Sequence, residues 1–141
     1  MTMVMRVDVV SLEASIFTGE AEMVFAPAEN GEVGIAPRHA PLLTRLKPGE
    51  LRIQMPGETL SFFISGGILE VQPNQVTVLT QTSIRTDAID EARTLEAKLQ
   101  AEAALATDRE AVDVARAEAE LLEMSERLRV LERARKRGQL K

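Results

Sequence analysis

The strongest constraint on this chain is a change of periodicity near Asp87. All 6 prolines and every glycine except Gly138 precede that point. Behind it Ala, Glu, Leu and Arg dominate, and these are strong helix formers. Ahead of it, short apolar runs rich in Val, Ile, Phe and Leu are punctuated by Gly and Pro, the pattern of strands and turns. The chain therefore reads as α+β, with β-structure over residues 1–86 and helices over residues 87–141.

Within the first part the apolar runs predict strands at Val4–Val10, Glu22–Ala26, Leu51–Gln54, Leu60–Ser65, Ile68–Gln72 and Val76–Thr80. Leu69 and Val71 alternate with Ile68, Glu70 and Gln72, as in a half-buried strand. Asn30-Gly31, Pro48-Gly49, Pro56-Gly57 and Pro73-Asn74 mark turns. Many short strands at this spacing suggest a flattened β-sandwich or barrel.

The second part predicts two helices folded back antiparallel across a break at Ala106–Asp108. Asp87 is the expected cap of the first helix, with Asp90 and Glu91 in its first turn. Ile89, Ala92, Leu95, Leu99 and Ala103 form its apolar stripe at three- and four-residue steps. Thr107 with Glu110 is a capping box for the second helix. Its stripe runs through Val112, Ala115, Ala119, Leu122 and Leu128 to Leu131, and Gly138 is a natural stop. Both stripes are thin and alanine-rich. An alanine contact buries little area at ~25 cal/mol per Å². The hairpin is therefore expected to be marginal alone and able to detach, as a movable element must.

Composition removes several function classes. The 141 residues suit one domain or a small domain with an appendage. Without cysteine there is no disulfide scaffold, thiolate catalyst or cysteine zinc site. A single histidine, His39, excludes a multi-histidine metal site. A net charge of −5 and the absence of Trp and Tyr disfavour a nucleic-acid binder. No apolar run approaches the ~20 residues of a membrane span. The first residues do not read as a signal peptide, so the cytoplasm is the default compartment.

Charge is divided unevenly. Between Asp87 and Glu126 stand 12 acidic and 4 basic residues, whereas Arg127 to Lys141 holds 7 basic and 1 acidic. Arg127, Arg129, Arg133, Arg135, Lys136 and Arg137 crowd the end of the second helix. Cations are favoured at a helix C-terminus in any case. Such a density exceeds what a dipole needs and points to an acidic partner surface. A helix of about 30 residues spans ~45 Å, so this tip could reach far.

Two segments carry a family resemblance. One is Gly31-Glu32-Val33-Gly34-Ile35-Ala36-Pro37-Arg38-His39-Ala40-Pro41-Leu42-Leu43. The other is Ser65-Gly66-Gly67-Ile68-Leu69-Glu70-Val71, followed by Val76-Thr77-Val78-Leu79. With the helical tail and its Ile89-Asp90-Glu91-Ala92-Arg93, they closely resemble the epsilon subunits of bacterial rotary ATP synthases over essentially the whole chain. The resemblance implies a flattened β-sandwich and a helical hairpin on a non-catalytic rotor subunit. That subunit joins the gamma subunit to the membrane ring of c subunits. Its hairpin can extend beside gamma and block ATP hydrolysis in the alpha–beta head. The implied location is peripheral, on the cytoplasmic face of the bacterial inner membrane, with membrane contact only through the complex.

Residue by residue, the resemblance places Gly31, Glu32 and Val33 against the c ring, and Ser11, His39, Leu43 and Thr44 toward gamma. Physically, Gly31 and Gly34 permit tight or positive-φ backbone, and Pro37 and Pro41 stiffen the loop around His39. The segment from Gly31 to Thr44 reads as a rigid, exposed docking loop. Glu32 suits a basic c-ring loop, although an isolated exposed pair contributes only ~0–1 kcal/mol. Area and shape should dominate a joint that transmits torque.

Some relatives of this kind bind ATP between the helices. Here Ile89, Asp90 and Arg93 match that motif, but Thr94 stands where alanine is expected. Arg127 fits one of two arginine places, Glu123 occupies the other, and Ile84 replaces an expected acid. Phosphate binding needs convergent cations, so ATP affinity is expected to be weak or absent and no other cofactor is implied. The alternative function is an ATP-sensing module in which nucleotide stabilises the folded hairpin. An independent enzyme has little support, because no cluster of acid, base and nucleophile is displayed. His39 reads first as a loop histidine bonded to backbone. Ser65-Gly66-Gly67 lacks the lysine of a phosphate loop and reads as a tight strand connection.

Overall fold

The structure is a computed structural model that describes residues 3–12, 14–106 and 111–138. It divides into two compact units, Met1–Arg85 and Thr86–Lys141.

The first unit contains β1 (Met5–Ser11), β2 (Ser15–Ala21), β3 (Met23–Ala28), β4 (Gly31–Ile35), β5 (Leu42–Leu46), β6 (Gly49–Met55), β7 (Glu58–Ile64), β8 (Gly67–Gln72), β9 (Gln75–Thr80) and β10 (Ser83–Arg85). Its strands hydrogen-bond in the order β10-β7-β6-β3-β5-β8-β9-β1-β2, and β4 pairs β3 beside this path. β2 runs into β3 through the single residue Glu22, whose N–H donates to the Gln54 carbonyl at 2.7 Å. The last strand of the path is thus tied back to its middle, and the sheet folds over itself into a sandwich. β3 and β5 share one paired position, Ala28 with Leu46, where the two layers join.

Alternation explains the core. Val7 and Val9 of β1, Leu69 and Val71 of β8, and Val76 and Val78 of β9 point inward and are fully buried. Val24, Leu51, Ile53, Phe62 and Ile64 close over them from the other layer. Phe17 of β2 meets Phe62 of β7 with ring centroids 6.1 Å apart and planes tilted by 55°.

Sequence reading finds six of these strands to within a few residues and misses four. β4 and β5 lie in the segment taken as one long loop, so only Ala36–Pro41 remains a connection there. Two glycines in five residues hide β4, and its apolar positions are too few to show a period. Gly34 is also reassigned: it sits in extended strand, where a Cβ would stand 3.3 Å from the Phe25 ring. Gly31 alone of that pair has positive φ, at 132°. Ser65 and Gly66 form the tight connection from β7 to β8, and Gly67 opens β8. Gly67 has φ 141°, and a Cβ there would lie 1.9 Å from the Leu79 carbonyl oxygen.

The second unit holds a 3₁₀ turn (Thr86–Ala88), α1 (Glu91–Ala106) and α2 (Ala111–Lys136). The helices are antiparallel, because Glu91 at the start of α1 pairs with Arg135 at the end of α2. Asp90 caps α1, not Asp87: its Oδ1 accepts the Arg93 N–H at 3.0 Å. The 3₁₀ turn takes up Asp87 and delays the helix. Gly138 closes α2 with φ 77°, its N–H donating to the Arg135 carbonyl at 3.0 Å. The Thr107–Glu110 capping box lies outside the described residues.

The packed stripes differ from those expected. Ala92, Leu95, Leu99 and Ala103 of α1 are exposed, as are Ala115, Ala119 and Leu122 of α2, while the Val112 side chain lies outside the described part. Leu131 is buried as expected and Leu128 is half-buried; the other buried positions are Thr94 and Ala101 on α1, and Ala117, Met124, Val130 and Ala134 on α2. A cleft between the helices is lined by Ala101, Ala104 and Ala117. Small residues at this stretch of the seam let the helix axes approach, while Met124 and Leu131 fill the part nearer the end of α2. The Thr94 hydroxyl is compatible with burial because it donates to the Asp90 carbonyl at 2.7 Å.

Candidate docking surfaces

The residues assigned to the c ring sit on β4, which pairs β3 alone. Gly31 pairs Ala28, Glu32 pairs Pro27 and Val33 pairs Ala26. Val33 packs partly against the core. Glu32 points outward, where its Oε1 accepts a 2.7 Å bond from Arg52 of β6.

The loop that follows is fixed by backbone. Arg38 takes φ 66°, an uncommon value for a residue with a side chain. Its N–H donates to the Pro73 carbonyl at 2.8 Å, fastening the loop to the β8–β9 turn. The His39 N–H donates to the Ala36 carbonyl at 3.2 Å, and its Nδ1 lies 2.6 Å from the Ala40 carbonyl oxygen. A carbonyl only accepts, so Nδ1 carries the proton. His39 is thus a loop histidine bonded to backbone.

The residues assigned to gamma do not share one face. Leu43 projects outward and is 72% exposed. Thr44 follows it in β5 and turns to the opposite side, toward the core, with Leu42 and Leu46. Ser11 ends β1, and its hydroxyl lies in the turn to Ala14, 3.2 Å from that carbonyl.

Register reveals a surface that sequence reading missed. Val10 of β1 pairs Leu79 of β9, Leu79 pairs Ile68 of β8, and Ile68 pairs Arg45 of β5. All four lie on the outer face in one row across the layer. Leu79 is 45% and Ile68 44% exposed, and Leu43 stands in the next row opposite Glu70. The only hint in the sequence is that both sides of β9 are apolar, a signal that does not say which neighbours align.

On the second unit, the cations grouped at the end of α2 are largely paired within the unit. Arg127 meets Glu123 at 3.5 Å, Arg129 meets Glu126 at 2.5 Å and Lys136 meets Glu132 at 3.3 Å. Arg135 forks onto Glu91, with Nη1 at 2.9 Å and Nη2 at 2.6 Å from its two oxygens. This fork holds the Glu91 carboxyl below its ordinary range and raises the Arg135 guanidinium. Arg133 and Arg137 are exposed. Of the residues matching the nucleotide motif, Asp90 and Arg93 are together at 3.6 Å while Ile89 is half-buried in the turn ahead of α1. Arg127 is engaged by Glu123 on its own helix. Among the described residues no cluster of metal-ligating side chains occurs, and no helix is long and apolar enough to cross a membrane.

These features define an α+β class in which a β-sandwich with an exposed apolar row and a stiffened loop precedes a two-helix hairpin. Residues 4–86 match the family described as ATP synthase, Delta/Epsilon chain, beta-sandwich domain. The chain belongs to this family, among the ATP synthase epsilon chains. It is 55% identical to the ATP synthase epsilon chain of Nitrosococcus oceani over 138 residues, covering 97% of this chain and 99% of that one. It is 54% identical to the epsilon chain of Halorhodospira halophila, covering 95% and 96%. Its fold is also that of a chain in the structure of Euglena gracilis mitochondrial ATP synthase, OSCP/F1/c-ring, with TM-score 0.77, 22% identity and coverage of 86% and 78%.

Proposed function

We propose that this chain is a non-catalytic rotor subunit of a proton-translocating ATP synthase, joining the c ring to gamma and restraining ATP hydrolysis through its helices. Family membership supports the complex. The descriptions of structures with this fold, which name F1, a central stalk and a c-ring, support the position. The observation that carries the reading is the outward row of Val10, Leu79 and Ile68 with Leu43 beside it. An exposed contiguous apolar patch on a stiff sheet is the mark of a protein interface, and gamma is its partner. The β4 edge with Glu32 takes the c ring. A wide joint on two surfaces of one rigid sandwich resists slipping under torque.

The helices supply the restraint. Opened, α2 offers Arg127, Arg129, Arg133, Arg135, Lys136 and Arg137 to acidic surfaces of the alpha and beta subunits and stops rotation in the hydrolytic direction. The subunit then works peripherally, at the cytoplasmic face of the bacterial inner membrane. The test reconstitutes the complex with two variants of the full chain. Ile68→Glu with Leu79→Glu should abolish incorporation, whereas alanine at the six cations should leave incorporation intact and raise ATP hydrolysis. Normal incorporation of the first variant would remove the gamma interface, and unchanged hydrolysis with the second would remove the brake.

A further inference from the structure

The outer face of β3, β4 and β6 carries a polar cluster centred on Arg52. Phe25 of β3 pairs Gly34 of β4 on one side and Arg52 of β6 on the other. The Arg52 guanidinium lies 4.6 Å from the centroid of the Phe25 ring, stacked over it. Gly34, having no side chain, leaves that ring room to lie flat. Arg52 Nη2 donates to Glu32 at 2.7 Å, and its Nε stands 3.9 Å from Glu50 Oε1. Glu50 is 6% exposed and accepts the Ser61 hydroxyl at 2.5 Å. The side chain of Arg52 is 24% exposed, that of Glu32 55%. A half-buried guanidinium, stacked on an aromatic ring and with a buried carboxylate 3.9 Å to its side, thus grips a carboxylate that faces solvent.

We propose that Arg52 is a positioning residue that holds Glu32 ready for a cationic loop of the c ring. This rests on the assignment of Glu32 to the ring made above. An ionised carboxylate has about four lone-pair sites, so after accepting from Arg52 it can still take a second cation. Two carboxylates around one guanidinium leave the cluster negative, which suits a cationic partner. An unheld glutamate loses rotamer freedom on docking; one ordered in advance loses less. The flat guanidinium matters here, because a lysine ammonium does not stack flat on Phe25 while reaching Glu32.

The experiment titrates the full-length chain onto ATP synthase membranes stripped of this subunit, with thermal unfolding of each variant as the fold control. Glu32→Gln is expected to weaken binding about three- to fivefold, the scale of an exposed ion pair. Arg52→Ala should weaken it equally, and Arg52→Lys by an intermediate amount while staying folded. The double variant should bind no worse than either single one, since Arg52 acts only through Glu32. Wild-type binding by Arg52→Ala, or a double variant whose loss is the product of the two, overturns the positioning role. A silent Glu32→Gln overturns it differently, by removing the ring assignment beneath it.

Discussion

The two units of this chain bury themselves by opposite means. The sandwich encloses large side chains, with Phe62, Leu51, Ile53 and Leu69 at 2% exposure or less. The hairpin closes largely on Thr94, Ala101, Ala117 and Ala134, with Met124, Val130 and Leu131 as its buried larger side chains, and leaves Leu95, Leu99 and Leu122 about half exposed. Area stabilises the first. Close approach, a few larger side chains and local capping at Asp90 and Thr94 stabilise the second, with the exposed Glu91–Arg135 fork as a weak tie between its helices. A unit with little buried apolar area opens at lower free energy than one with a deep core. That difference in side-chain size supports the rigid joint and the moving part proposed for a rotor subunit.

The largest test of this contrast is in the sandwich. Phe62→Ala removes a ring packed against Phe17 and should cost ~3–5 kcal/mol in denaturant unfolding of the first unit. A cost near that of an exposed substitution would mean that the sandwich is not the stiff partner. The matching test in the hairpin is smaller and has an internal control. Leu131→Ala, at 5% exposure, should cost ~2–3 kcal/mol of helical stability. Leu99→Ala, at 55% exposure, should stay within about 0.5 kcal/mol of wild type. Equal effects from the two leucines would restore the stripe expected from sequence. Smaller again is Asp90→Ala, which should cost ~1 kcal/mol by loss of the α1 cap, read as faster amide exchange over the first turn. Asp87→Ala, with its residue in the 3₁₀ turn, should disturb that first turn of α1 less than Asp90→Ala does.

The strands with regular alternation, such as β8 and β9, could be read directly from the chain, because a period of two survives any neighbour. β4 could not, because Gly31 and Gly34 erase the pattern and Phe25 supplies the side chain that fills the gap. The motif around His39 was visible; the split of Leu43 and Thr44 onto opposite faces requires knowing that both lie in a strand. The row of Val10, Leu79 and Ile68 depends on register between strands distant in sequence, which no local period encodes. The two helices are legible in the sequence, but which of their positions pack is only partly so, for a related reason. Each carries two apolar stripes of similar weight, and the choice between leucines and alanines is made by the other helix. Arg52 escaped notice because its importance lies in a ring and two carboxylates brought to it by three strands.

The smallest predicted effect bears most directly on how the hairpin is fastened. Glu91 and Arg135 are exposed, so their fork is worth little in free energy, yet it ties the start of α1 to the end of α2. Folding depresses the Glu91 pKa below the ordinary 4.5, with the Arg135 hydrogen bonds as the leading cause. A depressed acid contributes stability that is fully present above its unfolded pKa and lost as pH falls through the folded one. Arg135 stays charged throughout, so it adds no window of its own. Amide exchange at the ends of α1 and α2 should therefore be slower in wild type than in Glu91→Gln at neutral pH. The difference should shrink once the pH drops below about 4.5. The same comparison across the sandwich strands should show no difference at any pH. A difference that persisted in acid would assign the fastening to packing. One that spread to β8 and β9 would mean that the two units do not open separately.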